Sequence, residues 1–434
     1  MKILVVSHTY IVDLNCEKLR ELAKLHCKNG EPVEVAVVVP QRWRPGGVQN
    51  KIIEPEAKTE GNFRLVPLPS LSENNQGLLS FGWGLVTFLQ DFRPDVIQVE
   101  QGSKSIAYAQ LITLNKLLGL KAKLLFFTWW NLPYQLKFPF SMLEAYNLKN
   151  TDGVVVGNKD GGEVLRDRNY NNPMRILPQL GIDERIFKPQ QQPALMQQYG
   201  IETSDFIVGF VGRFVPEKGL MTLAKALAGL KEQNWKWLIL GRGPLEPELK
   251  QWAKEEGLED RLILIESVPH ADVPRYINLM STLLLPSETT YDFKTLTAAG
   301  WKEQFGHVII EAMASAVPVI GSDSGEIPNV IGTAGLVFPE GNVAELQERL
   351  HSLMTQPGLA KKLGQRGYEK AMERYTNRAL AEEQLGFYEE LLAEGVAATL
   401  GGERQEYERQ EDERQEDERQ EDERQEDERR FVPT

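Results

Sequence analysis

Cysteine is nearly absent: Cys16 and Cys27 are the only two in 434 residues, with no CxxC and no histidine cluster beside them. A disulfide scaffold and a zinc framework are thereby excluded. Both thiols are expected in the core, within one helix over Asn15 to Lys28. Long apolar runs are also missing, since nothing approaches the roughly 20 residues of a membrane span. The opening MKILVVSHTY has one Lys and a short strand-like run rather than a leader pattern, and the expectation is a soluble, cytoplasmic protein. Positive excess is lacking too. The net charge is -13, of which Glu403 to Arg430, with 15 acids against 7 arginines, supplies -8, leaving -5 for the remainder. A nucleic-acid surface wants a positive stripe, so no nucleic-acid partner is expected, and any bound anion must be met locally.

Two familiar nucleotide cradles are missing as well. Strand one runs into SHTYIVDLN without a glycine, which removes the dinucleotide fingerprint. Gly209/Gly212 and Gly241/Gly243 follow later strands, but Pro244 breaks the second pattern, and no GxxxxGK[ST] loop occurs. There is no DxD either. A metal site on that motif, and any separate cofactor, are not expected.

What is present is alternation. KILVVS, VEVAVVV, DVIQVE, KLLFFT and GVVVG are separated by helix-length stretches, which reads as βαβ units on a parallel sheet. The pattern restarts after the turn-rich Pro178 to Pro193 with FIVGFVG, WLILG, RLILIE, TLLLP, VPVIGS and GLVF. A length of 434 residues suits two cores better than one. The fold class is therefore α/β, two Rossmann-like doubly wound domains over residues 1–181 and 182–376. A helix over 377–397 closes the second and reaches back over the first. Residues 398–434 hold a five-residue repeat, ERQEY followed by four ERQED copies, that cannot bury a face; it reads as a solvated helix or as disordered chain. The alternative is a docking element.

Chemistry concentrates in two segments. In Trp301 to Val317, WKEQFGHVIIEAMASAV, a helix starting at Phe305 or Gly306 puts His307, Glu311 and Ser315 within an arc of roughly 80°. The rest of that helix is almost wholly apolar and so buried. Glu311 must then be compensated or face a ligand cavity. Glu303 falls just before the helix, beside free backbone N–H groups that form an anion site. The second segment is GRFVPEKGL, Gly212 to Leu220, at the carboxyl end of a strand, where open α/β sheets bind ligands. Arg213 offers a planar fork and Lys218 a point charge, a combination suited to a diphosphate.

The second half, with E-x7-E at Glu303 and Glu311 and the pair Arg213 and Lys218, resembles a family 4 glycosyltransferase of the GT-B fold. GID at Gly181 to Asp183, Phe187 and Pro189 resemble that family's linker, and VEQGSKSIAYAQ, FFTWWN and NTDGVVVGN its strand-end segments, so that most of residues 1–395 is covered. The resemblance implies a retaining, metal-independent hexosyltransferase that moves a sugar from a nucleoside diphosphate sugar to a glycan or lipid-linked acceptor, in polysaccharide or glycoconjugate biosynthesis. It implies that Arg213 and Lys218 hold the diphosphate, with Gly212 and the backbone of Gly306, His307 and Val308 adding to them. Glu311 would accept from ribose hydroxyls, and Glu303 would contact the donor sugar beside its anomeric carbon.

The departures lie on the acceptor side. Many relatives place a His where Phe127 stands, and some carry Gly-Gly where this chain has Tyr10 to Asn15. His8 could replace the missing imidazole, and Trp129, Trp130 and Asn131 could meet an acceptor sugar. Thr289 to Gly300 reads as an insertion, a lid or a plain surface loop. LLSFGWGLVTFL, Leu78 to Leu89, would either pack on the first sheet or make a peripheral contact at the inner membrane face. An epimerase of the same fold, or an inactive sugar-nucleotide-binding partner in an assembly, are the alternative functions.

Overall fold

Strands dominated by valine and isoleucine are buried on both faces in the computed structural model, as a helix-covered parallel sheet requires. The structure describes residues 1–45, 51–294 and 299–393. The first sheet is formed by β1 (Lys2–Val6), β2 (Glu34–Pro40), β3 (Lys58–Glu60), β4 (Phe63–Leu68), β5 (Val96–Val99), β6 (Lys123–Thr128), β7 (Gly153–Val156) and β8 (Met174–Ile176). Their order is β3-β4-β2-β1-β5-β6-β7-β8. All neighbours are parallel except β3 with β4. The exception is a short, fully exposed edge, KTE, whose charges discourage further pairing.

The second sheet has β9 (Phe206–Val211), β10 (Trp235–Leu240), β11 (Leu262–Ile265), β12 (Thr282–Leu285), β15 (Val319–Ser322) and β16 (Leu336–Phe338), in the order β11-β10-β9-β12-β15-β16. Every one of its pairings is parallel. Trp237 and Trp252 meet edge to face at 5.6 Å in its core. Between β12 and β15, β13 (Thr290–Lys294) and β14 (Ala299–Trp301) make an antiparallel ribbon. The stretch expected as a lid or loop is thus partly a hairpin, with its residues 295–298 outside the described ones.

The two sheets belong to one compact unit, Met1–Leu385. Ile182 crosses from one half to the other against Tyr375 and Asn377: its N–H donates to the Tyr375 carbonyl at 2.9 Å and its carbonyl accepts from Asn377 at 3.0 Å. A Cβ at Gly181 would lie 2.8 Å from the Asn377 nitrogen, so the crossing needs glycine there. Residues 377–393 are helical. Near the start of that helix the Arg378 guanidinium approaches Glu21 of the first half to 3.9 Å. Residues 394–397 and the repeat segment 398–434 lie outside the described residues.

One element is shorter than its sequence suggests. The helix expected over Asn15 to Lys28 covers only Glu17–Leu22, after a 3-10 turn at Asp13–Cys16. Beyond it the chain turns back: Val33 donates to the Leu25 carbonyl at 3.2 Å and Cys27 to that of Glu31 at 2.8 Å, delivering the chain into β2. Both cysteines are buried, as expected of core thiols. LLSFGWGLVTFL packs Leu79, Phe81, Leu85 and Leu89 inward and leaves Leu78 and Trp83 exposed.

Gly219, at the head of helix Leu220–Ala228, has φ +66°, and a Cβ there would lie 1.8 Å from the Pro286 carbonyl oxygen. Gly358, in helix Pro357–Arg374, has open space around it. Gly219→Ala is expected to cost about 1–3 kcal/mol through strain at that position, whereas Gly358→Ala leaves stability equal or higher because alanine is the better helix former. Thermal unfolding of the two variants beside the parent checks both signs.

Candidate functional site

The site is assembled at the carboxyl ends of the second sheet's strands. Lys218 follows β9 in the 3-10 turn Pro216–Lys218. Its ammonium lies 2.5 Å from the Glu303 carboxylate and 4.9 Å from the centroid of the Trp301 ring. Ser287, just past β12, donates its hydroxyl to the same Glu303 oxygen at 2.7 Å. Glu303 is 7% exposed, and a carboxylate so buried requires such partners.

The backbone of Glu303 is held as firmly as its side chain. Its carbonyl accepts from the Asn131 amide of the first half at 3.1 Å and from the Glu326 N–H at 3.4 Å. A Cβ on Gly325 would lie 1.8 Å from that oxygen, which is why glycine, at φ +55°, stands beside it. Two further links join the halves here. The Lys302 ammonium meets Asp160 at 2.8 Å, and Glu326 accepts from the Lys159 N–H at 2.8 Å.

Gly306 caps the helix His307–Ala314 in the left-handed region, at φ +79°, where a Cβ would meet the Leu285 side chain at 2.6 Å. The amide ends of His307 and Val308 lie in the first turn, at the positive end of the helix. Glu311 is on the second turn, 7% exposed, with the His270 imidazole at 3.5 Å and that of His307 at 3.8 Å. The hydrogen bond to Glu311 holds the His270 imidazole above its ordinary range, while burial pushes His307 down. Ser315, on the same arc, donates to the Glu311 carbonyl at 3.1 Å. Glu311, His270, His307 and Asn377 line a cavity of about 310 Å³ beside the crossing at Gly181.

Of the residues expected at the site, Glu303, Lys218, Glu311, Gly306, His307 and Val308 lie on one loop and helix and on the adjoining strand end. Arg213 and Gly212 follow β9 next to them. The Arg213 side chain stays largely in solvent, 59% exposed and 3.7 Å from Glu217. Glu303 precedes the helix as expected, and its carboxylate is taken by Lys218 and Ser287, because a buried anion is satisfied best by a cation within hydrogen-bond reach. Asn131, expected on the acceptor side, donates its amide to the Lys302 and Glu303 carbonyls, at 3.3 and 3.1 Å. Trp129 donates to Gln179 at 3.1 Å and packs edge-on against Phe127; Trp129 and His8 both line a cavity of the first half. His270 and Ser287 were missed. Each comes from a loop after a different strand, and no spacing rule links them to the helix.

Residues 191–370 match the model of the family described as glycosyl transferases group 1. Among curated proteins the chain is similar to alpha-D-kanosaminyltransferase of Streptomyces kanamyceticus, 26% identical over 45% of this chain and 48% of that one. It is also similar to N-acetyl-alpha-D-glucosaminyl L-malate synthase of Bacillus anthracis, 28% identical over 49% and 52%. The aligned part thus spans about half the length of these relatives. Among solved structures, HepE of Anabaena in complex with UDP superposes at a TM-score of 0.63, 16% identical over 92% of this chain and 100% of that one. Sucrose-phosphate synthase from Thermosynechococcus elongatus does so at 0.63, 18% identical over 91% and 99%. The fold is GT-B.

His8 lies two residues beyond β1 with its Nδ1 buried and without a hydrogen-bond partner, and its ring lies 5.0 Å from that of Trp43. Burial pushes its imidazole down to about 4. The unfolded chain takes up a proton near the usual value of about 6.5 while the folded one stays neutral, so stability falls as pH drops through the window between those two values. Denaturant midpoints at pH 7 and pH 5 are expected to separate less for His8→Gln than for the parent chain.

Proposed function

From a second half whose residues 191–370 match the model of the glycosyl transferases group 1 family, we infer that the chain is a retaining, metal-independent glycosyltransferase. It moves a hexose from a nucleoside diphosphate sugar to a glycan or lipid-linked acceptor in polysaccharide or glycoconjugate biosynthesis. The observation that carries the reading is the buried Lys218–Glu303 pair, set between a strand end and the amino end of the Glu311 helix. The names of the similar proteins support it, each being a transferase or synthase acting on sugars. The HepE complexes with UDP and with UDP-glucose support a nucleotide-sugar donor.

The chemistry follows from charge. Breaking the bond between sugar and phosphate leaves negative charge on the diphosphate and positive charge on the sugar ring. Lys218, Arg213 and the N–H groups of His307 and Val308 act on the former and Glu303 on the latter. Glu303 has a second task, which is to fix the Lys218 ammonium before the donor arrives, so that no reorganisation is needed at the moment of cleavage. Arg213, left in solvent, is free to fold over the phosphates. Glu311 takes the ribose hydroxyls with His270 and His307 flanking it. The departing phosphate oxygen receives the acceptor proton, which accounts for retention without a separate base. No observation favours the epimerase of the same fold.

Cytoplasmic residence with peripheral contact to the inner membrane face belongs to the same proposal. Among the described residues no helix is long and apolar enough to cross a membrane. Leu71, Leu78 and Trp83 are 86%, 50% and 83% exposed and close in sequence to Asn75, Gln76 and Gly77 of the first-half cavity wall. Exposed apolar side chains in numbers are a feature of contact surfaces.

Two experiments test this. Donor consumption across UDP, GDP and ADP sugars, with acceptor present, is expected for the parent chain, and Lys218→Ala or Glu303→Gln is expected to lower turnover roughly 10²- to 10³-fold. Parental turnover in a folded Glu303→Gln protein removes the carboxylate from the mechanism, and no consumption of any donor by the parent points to the inactive binding partner instead. Cosedimentation with anionic lipid vesicles is expected for the parent and weakened for Leu71→Ser/Trp83→Ser; equal recovery of both in the supernatant rejects the membrane contact.

A further inference from the structure

A cavity of about 610 Å³ opens at the carboxyl ends of β1, β5 and β6, walled by Glu100, Lys104, Trp129, Trp130 and Tyr134, with Gln304 of the second half bounding it beside Glu303. Two charged side chains are in this wall, and their surroundings are opposite in kind. Glu100, 4% exposed, is satisfied: its oxygens accept from the Gln98 amide at 2.9 Å and the Gln179 amide at 2.7 Å. Lys104 has no such partner. Its ammonium lies 3.7 Å from the Tyr134 ring centroid and 4.4 Å from that of Trp130, and it makes no ion pair among the described residues.

The carboxylate that could neutralise Lys104 is already engaged. Glu144, 1% exposed, accepts from the Ser103 hydroxyl at 2.7 Å, from the Tyr134 hydroxyl and from the Arg168 guanidinium. Arg168 lies over the Tyr134 ring as well, at 4.5 Å. The end of the cavity near Tyr134 therefore carries one positive charge in excess, held between aromatic faces. Such faces attract a cation but do not neutralise it.

We propose that Lys104 makes this cavity a subsite for an acceptor bearing an anionic group, a phosphate or a carboxylate, on a hydroxyl-rich body. The proposal rests on the transferase reading above and names its acceptor class. Burial pushes the Lys104 ammonium down to about 8, with Glu144 acting in the opposite direction. An arriving anion restores the charge and gains a charge-assisted hydrogen bond in a partly desolvated place. The indole rings of the wall suit the C–H faces of a sugar, and Glu100, near the middle of the sheet, is an acceptor for its hydroxyls. A neutral sugar gains the stacking and the hydroxyl contacts but leaves the ammonium uncompensated.

The test is isothermal titration of the full chain with glucose, glucose 6-phosphate, glucuronate and inorganic phosphate, and with UDP in a separate series. The parent is expected to bind at least one of the two anionic sugars about 10- to 100-fold more tightly than glucose. Lys104→Met is expected to reduce that preference to near unity and Lys104→Arg to keep most of it, with circular dichroism confirming that both are folded. Absence of any preference in the parent, absence of binding by every sugar, or a preference that survives in Lys104→Met overturns the proposal. So does inorganic phosphate binding as tightly as glucose 6-phosphate, which marks a bare anion site. Preference for the anionic sugars together with no UDP binding rejects the donor reading while leaving the anion site standing, so the two failures are told apart.

Discussion

The contact between the Lys218 ammonium and the Glu303 carboxylate organises everything around it. Both side chains are largely withdrawn from water, at 14% and 9% exposure. Such a pair gains little net stability over an apolar replacement, yet losing one partner leaves a buried charge at a cost of roughly 3–5 kcal/mol. Its presence is therefore explained by what it positions. The loops after β9 and β12 and the loop before the Glu311 helix converge there, and the glycines that let them approach, Gly219, Gly306 and Gly325, all have positive φ and all lack room for a Cβ. A network with so little slack keeps a cation, an anion and a helix terminus in fixed register.

Much of the fold was legible because parallel sheets write themselves plainly. Each buried strand of the second sheet is a short β-branched or aromatic run bounded by a turn, and FIVGFV, WKWLIL and TLLL all became strands. Strands carrying little apolar signal were not found. KTE of β3 is exposed throughout and MRI of β8 is three residues at an edge, so neither makes a core pattern. The β13–β14 ribbon escaped for a related reason, as Tyr291 and Phe293 point outward and are 68% and 57% exposed. The helix over Asn15 to Lys28 was overextended because its apolar spacing continues past the point where Leu25 pairs with Val33 instead.

The site was legible to the extent that it lies on consecutive residues. His307 and Glu311 share a helical face by periodicity, and Arg213 with Lys218 follows a strand. Partners drawn from distant loops were invisible: His270 reaches Glu311 across 41 positions and Ser287 reaches Glu303 across 16. Lys104 gave no signal at all, because a lysine after a strand is ordinarily a surface residue. Its surroundings, Tyr134 and Trp130 on the rings' side and Glu144 already claimed by Arg168, become visible only when the chain is folded.

Asn131 belongs to the first half and grips the carbonyl of Glu303 in the second, with Asp160 and Lys159 holding the flanking Lys302 and Glu326. Contacts across the halves thus fall on the peptide that presents the carboxylate, whereas the carboxylate itself is gripped from within the second half by Lys218 and Ser287. A displacement of one half against the other would therefore strain the backbone of Glu303 before it disturbed the ion pair.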